Sequence, residues 1–319
     1  MIQLSRERLL IEILKKLNRP NTGRGLIRDI LLGFKKKIGC QSIGIRLREG
    51  DDFPYYENFG FSKTFLKKER LLCSRDSLGS IIRNADGRAC LQCLCGAVLA
   101  GNINPSLPCF TRNGSFWTNS TTRFLASPMK NQLNIDLRNY CHREGYESIA
   151  LIPLRKGRET IGLLQLNDRR CDCFCEKDIR ILEDLAACLT IGVQRIQAGE
   201  ALEESESRLR SLAEATHEGI LFHKNGIILD CNDQFARMFG GENRSAVLGK
   251  SFFKQLPAKW QKVVKEKTKK KCEESYEIQG RDLNGKLIWV GISARETRLF
   301  GERVRVAGTR DLTFQKEAE

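Results

Sequence analysis

The stretch Glu144–Asp168, EGYESIALIPLRKGRETIGLLQLND, decides the fold of the first half of this chain. Two apolar runs, Ser148–Leu154 and Thr160–Leu166, flank the charged connection Arg155–Glu159, in which Gly157 offers a residue for positive φ. The pattern predicts a β-hairpin. Neither run is long enough to cross a bilayer. Their dense apolar character predicts strands packed on a core from at least one face, with Pro153 tolerated at an edge or a strand end. Downstream, Glu176 to about Ile196 reads as an amphipathic helix with Ile181, Leu182, Leu185, Leu189 and Ile196 on one side.

Length and charge bound the rest. A chain of 319 residues has room for about two domains. Lys and Arg number 54 against 39 acids, a net charge of +15 that would favour polyanionic partners if it were clustered. No segment has the apolar density of a membrane helix, and Met1–Leu17 is interrupted by Arg6, Glu7, Arg8, Glu12, Lys15 and Lys16, unlike a signal peptide. A cytoplasmic location is expected. Thirteen cysteines then need an account, because a reducing compartment disfavours disulfides and the number is odd.

Strand, short charged turn, strand ending in LLQLND and a long helix together resemble the C-terminal part of a GAF domain. Upstream, CLQCLCGAVL (Cys90–Leu99), PSLPCF (Pro105–Phe110) and GSFWTNSTT (Gly114–Thr122) are similar to a bacterial and archaeal subfamily of these sensory domains, and the resemblance covers roughly residues 5–198. Ala198–Ala215 then reads as a helical linker. Leu202, Leu209 and Leu212 fall at heptad spacing with charges between them, and Gly199 sits where the apolar stripe changes phase. Such a helix either carries a rotation or register shift between domains or is a solvated spacer.

From Glu218 the order is strand, Asn225-Gly226 turn, strand, three short helices, and three closing strands at Ser275–Arg281, Lys286–Arg295 and Arg303–Asp311. Asn284-Gly285 marks a second tight hairpin; Ile288, Val290 and Ile292, and then Val304 and Val306, alternate with period two. This order, with Cys231-Asn232-Asp233-Gln234-Phe235 opening the first helix and Asp311-Leu312-Thr313 at the end, resembles a PAS domain. The expected fold class is therefore α+β: residues 1–198 a GAF domain with an N-terminal helix, 199–215 a linker, 216–319 a PAS domain. Each is an antiparallel sheet with flanking helices, the two joined by a long amphipathic helix. The resemblance implies a PAS pocket lined by Phe222, Asn232, Phe235, Phe239, Phe252 and Leu256, and transmission of the signal through Asp311 and Thr313. No histidine follows His223, which argues against haem held by the usual PAS helix, and Gly241–Gly249 lacks the cysteine of a flavin-photoadduct domain.

The cysteines carry the remaining chemistry. Cys90, Cys93 and Cys95 are expected on a short helix ending near Gly101, with 90 and 93 on one face. Cys109 and Cys141 fall in segments that GAF folds place around the pocket. These thiols are candidates for a metal, an attached haem or a redox switch, set against the alternative of small buried hydrophobes. Without a second Cys-x-x-Cys pair the zinc signal is weak. In Cys171-x-Cys173-x-Cys175 an extended backbone would put three sulfurs on one side, with Cys175 at a helix N-terminus that favours thiolate, or they are incidental surface thiols. Lys250–Lys271 carries nine lysines and one acid, Glu266, either an electrostatic dock or the solvated face of a helix anchored by Trp260, Val263 and Val264.

Beyond Thr313 only six residues remain, the histidines are His142, His217 and His223, and no phosphate-cradling glycine motif occurs. The chain resembles the input half of a sensor histidine kinase. A non-enzymatic sensor that relays by contact to a kinase or other signalling partner is expected, dimerising through the inter-domain helix, with no membrane span and no nucleic-acid ligand. Three alternatives stand beside it: a sensory fragment of a kinase, a cysteine-based methionine sulfoxide reductase of the GAF type, and a basic nucleic-acid-associated regulator.

Overall fold

A computed structural model describes residue 15 and residues 24–133, 135–215, 218–299 and 301–318. Residues before 24 other than residue 15, and His217, lie outside the described residues, as do the side chains of Leu209 and Leu212. The chain divides into two compact units after Glu200.

The first unit contains helix α1 (Arg24–Ile38), strands β1 (Ser42–Leu47) and β2 (Tyr55–Phe59), and short helices α2 (Lys63–Lys68) and α3 (Cys93–Ala100). Strand β3 (Phe116–Thr118), helices α4 (Thr121–Ala126) and α5 (Tyr140–Arg143), strands β4 (Ser148–Lys156) and β5 (Glu159–Asp168), and the start of α6 (Glu176–Ala215) follow. The five strands form one antiparallel sheet in the order β2-β1-β5-β4-β3. The hairpin expected from Glu144–Asp168 is β4–β5, in register from Ser148 opposite Asp168 to Lys156 opposite Glu159, with Gly157 at φ +59° in its turn. Its runs show no period-two polarity because the sheet is covered on both faces. One face packs Ile152, Leu154, Leu164 and Leu166 against α1 and the α6 residues Ile179, Leu182, Leu185 and Leu189. The other packs Ile149, Leu151 and Leu163 against Phe65, Val98, Phe116 and Phe124. Pro153 lies inside β4, yet β3 pairs only Ile149–Leu151, so the flank at Pro153 has no ladder partner to lose.

Helix α6 runs unbroken for 40 residues, about 60 Å at 1.5 Å per residue, through Gly199. The second unit then contains β6 (Gly219–Lys224), β7 (Ile227–Cys231), α7 (Asp233–Met238), α8 (Ala258–Lys269), β8 (Tyr276–Arg281), β9 (Leu287–Leu299), β10 (Glu302–Asp311) and α9 (Thr313–Ala318). Its antiparallel sheet has the order β7-β6-β10-β9-β8. Of the three short helices expected before the closing strands, the middle one is a single 3₁₀ turn, Arg244–Ala246, capped by the Asn243 side chain. Both Asn-Gly turns form, with different chemistry. Asn225 (φ +52°) and Gly226 (φ +89°) are both left-handed, as a two-residue hairpin turn requires. At Asn284-Gly285 only the glycine is left-handed, and Asp282 Oδ1 closes the longer loop by accepting from the N–H groups of Asn284 and Lys286. The whole is α+β, two antiparallel five-stranded sheets with flanking helices and a long helix between them in the chain.

Candidate functional site

The second unit contains a partly open cavity of about 50 Å³. Phe235 and Phe239 reach it from α7, Phe252, Gln255 and Leu256 from the following 3₁₀ turn, and Val264 from α8. The sheet closes it with Leu221 and His223 of β6, Val290, Ile292 and Ala294 of β9, and Arg305, Ala307 and Thr309 of β10. Four of the six expected lining residues therefore meet there. Phe222 and Asn232 are not among the lining residues. On β6 the buried positions are Leu221 and His223, so Phe222 falls on the opposite face of the strand. Asn232 is a latch: its Oδ1 accepts from the N–H of Phe235 and of Ile220, capping α7, and its Nδ2 donates to Glu218 O.

The same parity holds on β10, where Arg305 pairs with His223 and Ala307 with Leu221. Val304 and Val306, which carry the apolar alternation in the sequence, lie on the other face. The sequence thus marks the wrong face of this strand, and Arg305 and His223 are charged or chargeable cavity residues that it conceals. Arg305 is only 8% exposed. Its Nη2 donates to Cys272 O at 2.6 Å and Ala294 O at 3.3 Å, while Nε and Nη1 have no hydrogen-bond partner. His223, 4% exposed, is held neutral, its pKa pushed down to about 4 by burial and by the charge of Arg305. Its Nδ1 accepts from Gly226 N–H at 3.4 Å, which leaves the ring proton on Nε2.

Asp311 and Thr313 join the sheet to α9. Asp311 Oδ1 accepts from the N–H of Thr313 at 2.8 Å, Thr313 Oγ1 accepts from Trp289 N–H at 3.0 Å, and Leu312 N–H donates to Trp289 O at 2.9 Å. Lys316 reaches Glu277 of β8 at 3.1 Å. Strand β9 therefore gives its inward side chains Val290, Ile292 and Ala294 to the cavity and its backbone at Trp289 to the start of α9.

Residues 217–314 match the family model described as PAS domain. This part of the chain is a PAS domain. Among solved structures, the PAS domain of an HTR-like protein from Haloarcula marismortui is 24% identical, covering 36% of this chain and 98% of that one with a TM-score of 0.33. The GAF domain of a phosphoenolpyruvate-protein phosphotransferase from Coxiella burnetii is 12% identical, covering 61% and 96% with a TM-score of 0.42. Over 197 residues, 60% of this chain, there is 24% identity to the methyl sulfide methyltransferase-associated sensor of Methanosarcina acetivorans. The match spans 20% of that protein's length.

Outside the PAS domain, the first unit holds the remaining candidates. Cys90 precedes α3, bonded in an extended segment to Ile82 and Ser74, so it shares no helix with Cys93 and Cys95. The helix ends at Gly101, as expected. Cys95 Sγ lies 3.8 Å from Gln165 Oε1, and Cys141 Sγ lies 3.8 Å from Gln165 Nε2. Burial pushes the Cys95 thiol up to about 12 and raises those of Cys93, Cys109 and Cys141. Among the described residues no three Cys, His, Asp or Glu side chains are grouped to hold a metal ion. A haem needs room on the order of 300 Å³ or more, and of the three large clefts described on this unit only one has a cysteine in its lining, Cys90. The interior thiols therefore do not fit a metal or haem centre.

The residues around these thiols form a buried polar network that the sequence conceals. Arg46, fully buried, donates to Phe53 O at 2.9 Å and Glu69 O at 2.6 Å, and its guanidinium lies 3.8 Å from the centre of the Tyr55 ring. Glu69 is shared with Arg138 at 3.0 Å, and Tyr55 Oη donates to Gln165 Oε1 at 2.8 Å. Strand–loop–helix connectivity differs from expectation at Cys171–Cys175: Asp172 is left-handed at φ +56°, so the segment turns and the three sulfurs do not line one side. Cys171 and Cys175 are exposed, and the half-buried Cys173 has its thiol raised by burial. On α8, Val264 is buried and Trp260 and Val263 half-buried, while Lys259, Lys262, Lys265 and Lys269 point to solvent. No helix among the described residues is long and apolar enough to cross a membrane.

Proposed function

We propose that the chain is a non-enzymatic sensory protein in which the PAS cavity takes a small ligand and β9 relays its occupancy to α9. The observation that carries this is the double use of β9, cavity lining on one face and anchorage of Thr313 and Leu312 at Trp289. A change in packing against Val290, Ile292 or Ala294 moves the backbone that holds α9, as a bistable packed element does. The similarity to a sensor supports the same role. The output is contact with a sensor kinase or another signalling protein, placing the chain in a two-component phosphorelay. The protonated interior thiols support packing rather than nucleophilic or redox catalysis in the first unit. All thirteen cysteines are free, which supports a cytoplasmic location.

The test is hydrogen exchange on the full chain after Ala294→Leu, which adds three carbons to the cavity wall. Exchange at the Trp289 and Leu312 amides is expected to change by about threefold or more, while amides of β1 in the first unit keep their rates. Unchanged rates at Trp289 and Leu312, with circular dichroism showing an intact fold, would remove the relay.

A further inference from the structure

We infer that the PAS cavity is built for a small carboxylate with a short alkyl tail, bound by Arg305. This names the ligand class for the cavity proposed above and rests on that proposal. A guanidinium buried without an anion is unfavourable unless its donors are satisfied. Arg305 has two donors, Nε and Nη1, without a partner among the described residues. Nε shares an edge with Nη2, which already donates to Cys272 O and Ala294 O, so the two free nitrogens, Nε and Nη1, each offer a separate charge-assisted hydrogen bond to a carboxylate oxygen. The neighbouring acid does not supply those oxygens: Glu296, opposite Arg305 on β9, reaches Lys271 at 3.0 Å instead.

The rest of the wall sets the ligand. His223, directly opposite Arg305 on β6, is neutral with its proton on Nε2, so it adds a donor and no negative charge. The Gln255 amide also faces the cavity with its Oε1 unpaired. Its two ends are interchangeable by rotation, so it can present an N–H to an anion. The remaining lining is mostly apolar, Phe235, Phe239, Ile278 and Val290 among it, with Thr268, Tyr276 and Thr309 as its hydroxyl-bearing members. A single water needs about 10–15 Å³ of such cavity space, so about 50 Å³ suits a molecule of a few heavy atoms such as acetate or propionate and excludes a haem or flavin.

Titration of the full chain with sodium acetate and sodium propionate, followed by the His223 ring resonances, tests this. Sodium chloride holds the ionic strength constant, and acetamide serves as the neutral isostere. Saturable shifts with both carboxylates, and at least tenfold weaker binding after Arg305→Gln, are expected. Arg305→Lys keeps the charge without the planar guanidinium's separate donors and is expected to bind less than the parent. Equal responses to acetate, acetamide and chloride would overturn the inference and assign the free guanidinium donors to buried water. The comparison of acetate with acetamide uses the unmutated chain and needs no variant to fold. Carboxylate binding that leaves the Leu312 amide unmoved would keep this inference and remove the relay. An Ala294→Leu effect at Leu312 without carboxylate binding would do the reverse.

Discussion

His223 and Arg305 face each other inside the PAS sheet, and both are charged or chargeable residues in strands whose apolar neighbours point away. Their burial has a pH signature. Folded His223 titrates near 4 against an ordinary value of 6.5. Above pH 6.5 both folded and unfolded states are neutral, and the full stability is present. As pH falls from 6.5 toward 4 the unfolded chain takes up a proton that the folded domain refuses, so stability is lost over that window, by about 3 kcal/mol in total. Urea unfolding at pH 7.5 and 4.5 should show this loss and His223→Asn should remove most of it; an identical loss in the variant would refute the assignment. The thiols differ in the same local way. Cys171 and Cys175 should react with maleimide within minutes, while Cys93 and Cys95 stay protected until unfolding; rapid labelling at Cys95 would contradict its burial. Phe235, Phe239, Phe252 and Leu256 were legible as cavity residues through the resemblance to PAS domains, which also put Phe222 there, although it lies on the opposite face of its strand. Arg305, His223 and Arg46 were not, since period-two logic sends a charged residue outward and only the pairing register shows otherwise.

At the scale of elements, the hairpins and the long helix were legible because each rests on a local rule: Asn-Gly turns, a charged two-sided turn at Gly157, and an apolar stripe of period 3.6. The segment Cys171–Cys175 was not, because a left-handed Asp172 has no signature in a run of alternating cysteines. Gly226 is a point where an element hangs on one residue. A Cβ there would run into the Phe253 ring, and φ is +89°. Gly226→Ala should cost the PAS domain about 2 kcal/mol or more, read as a lower urea midpoint; an unchanged midpoint would mean the hairpin is not held there. Thr313→Val keeps the shape of the side chain and removes the acceptor for Trp289 N–H, so it should weaken the docking of α9 by about 1 kcal/mol. Exchange at Leu312 would report it, and no change would dismiss the anchor.

For the whole molecule, fold class was legible through the resemblance of its motifs and element order to GAF and PAS domains, and the two antiparallel five-stranded sheets agree with it. Ligand and partner were not, because they depend on which side chains one cavity brings together. Ile191 and Leu202, eleven residues apart on one face of α6, are both exposed and support pairing of two copies through this helix. Sedimentation equilibrium should then find a dimer that Leu202→Lys weakens, and a monomer at all micromolar concentrations would exclude it. The central claim is that cavity and α9 are coupled through β9. A double-mutant cycle of Ala294→Leu and Thr313→Val, read as the opening free energy of the Leu312 amide by native-state hydrogen exchange, measures that coupling. The two effects should depart from additivity by about 0.5 kcal/mol or more. Additive effects would mean that the cavity and the helix do not communicate.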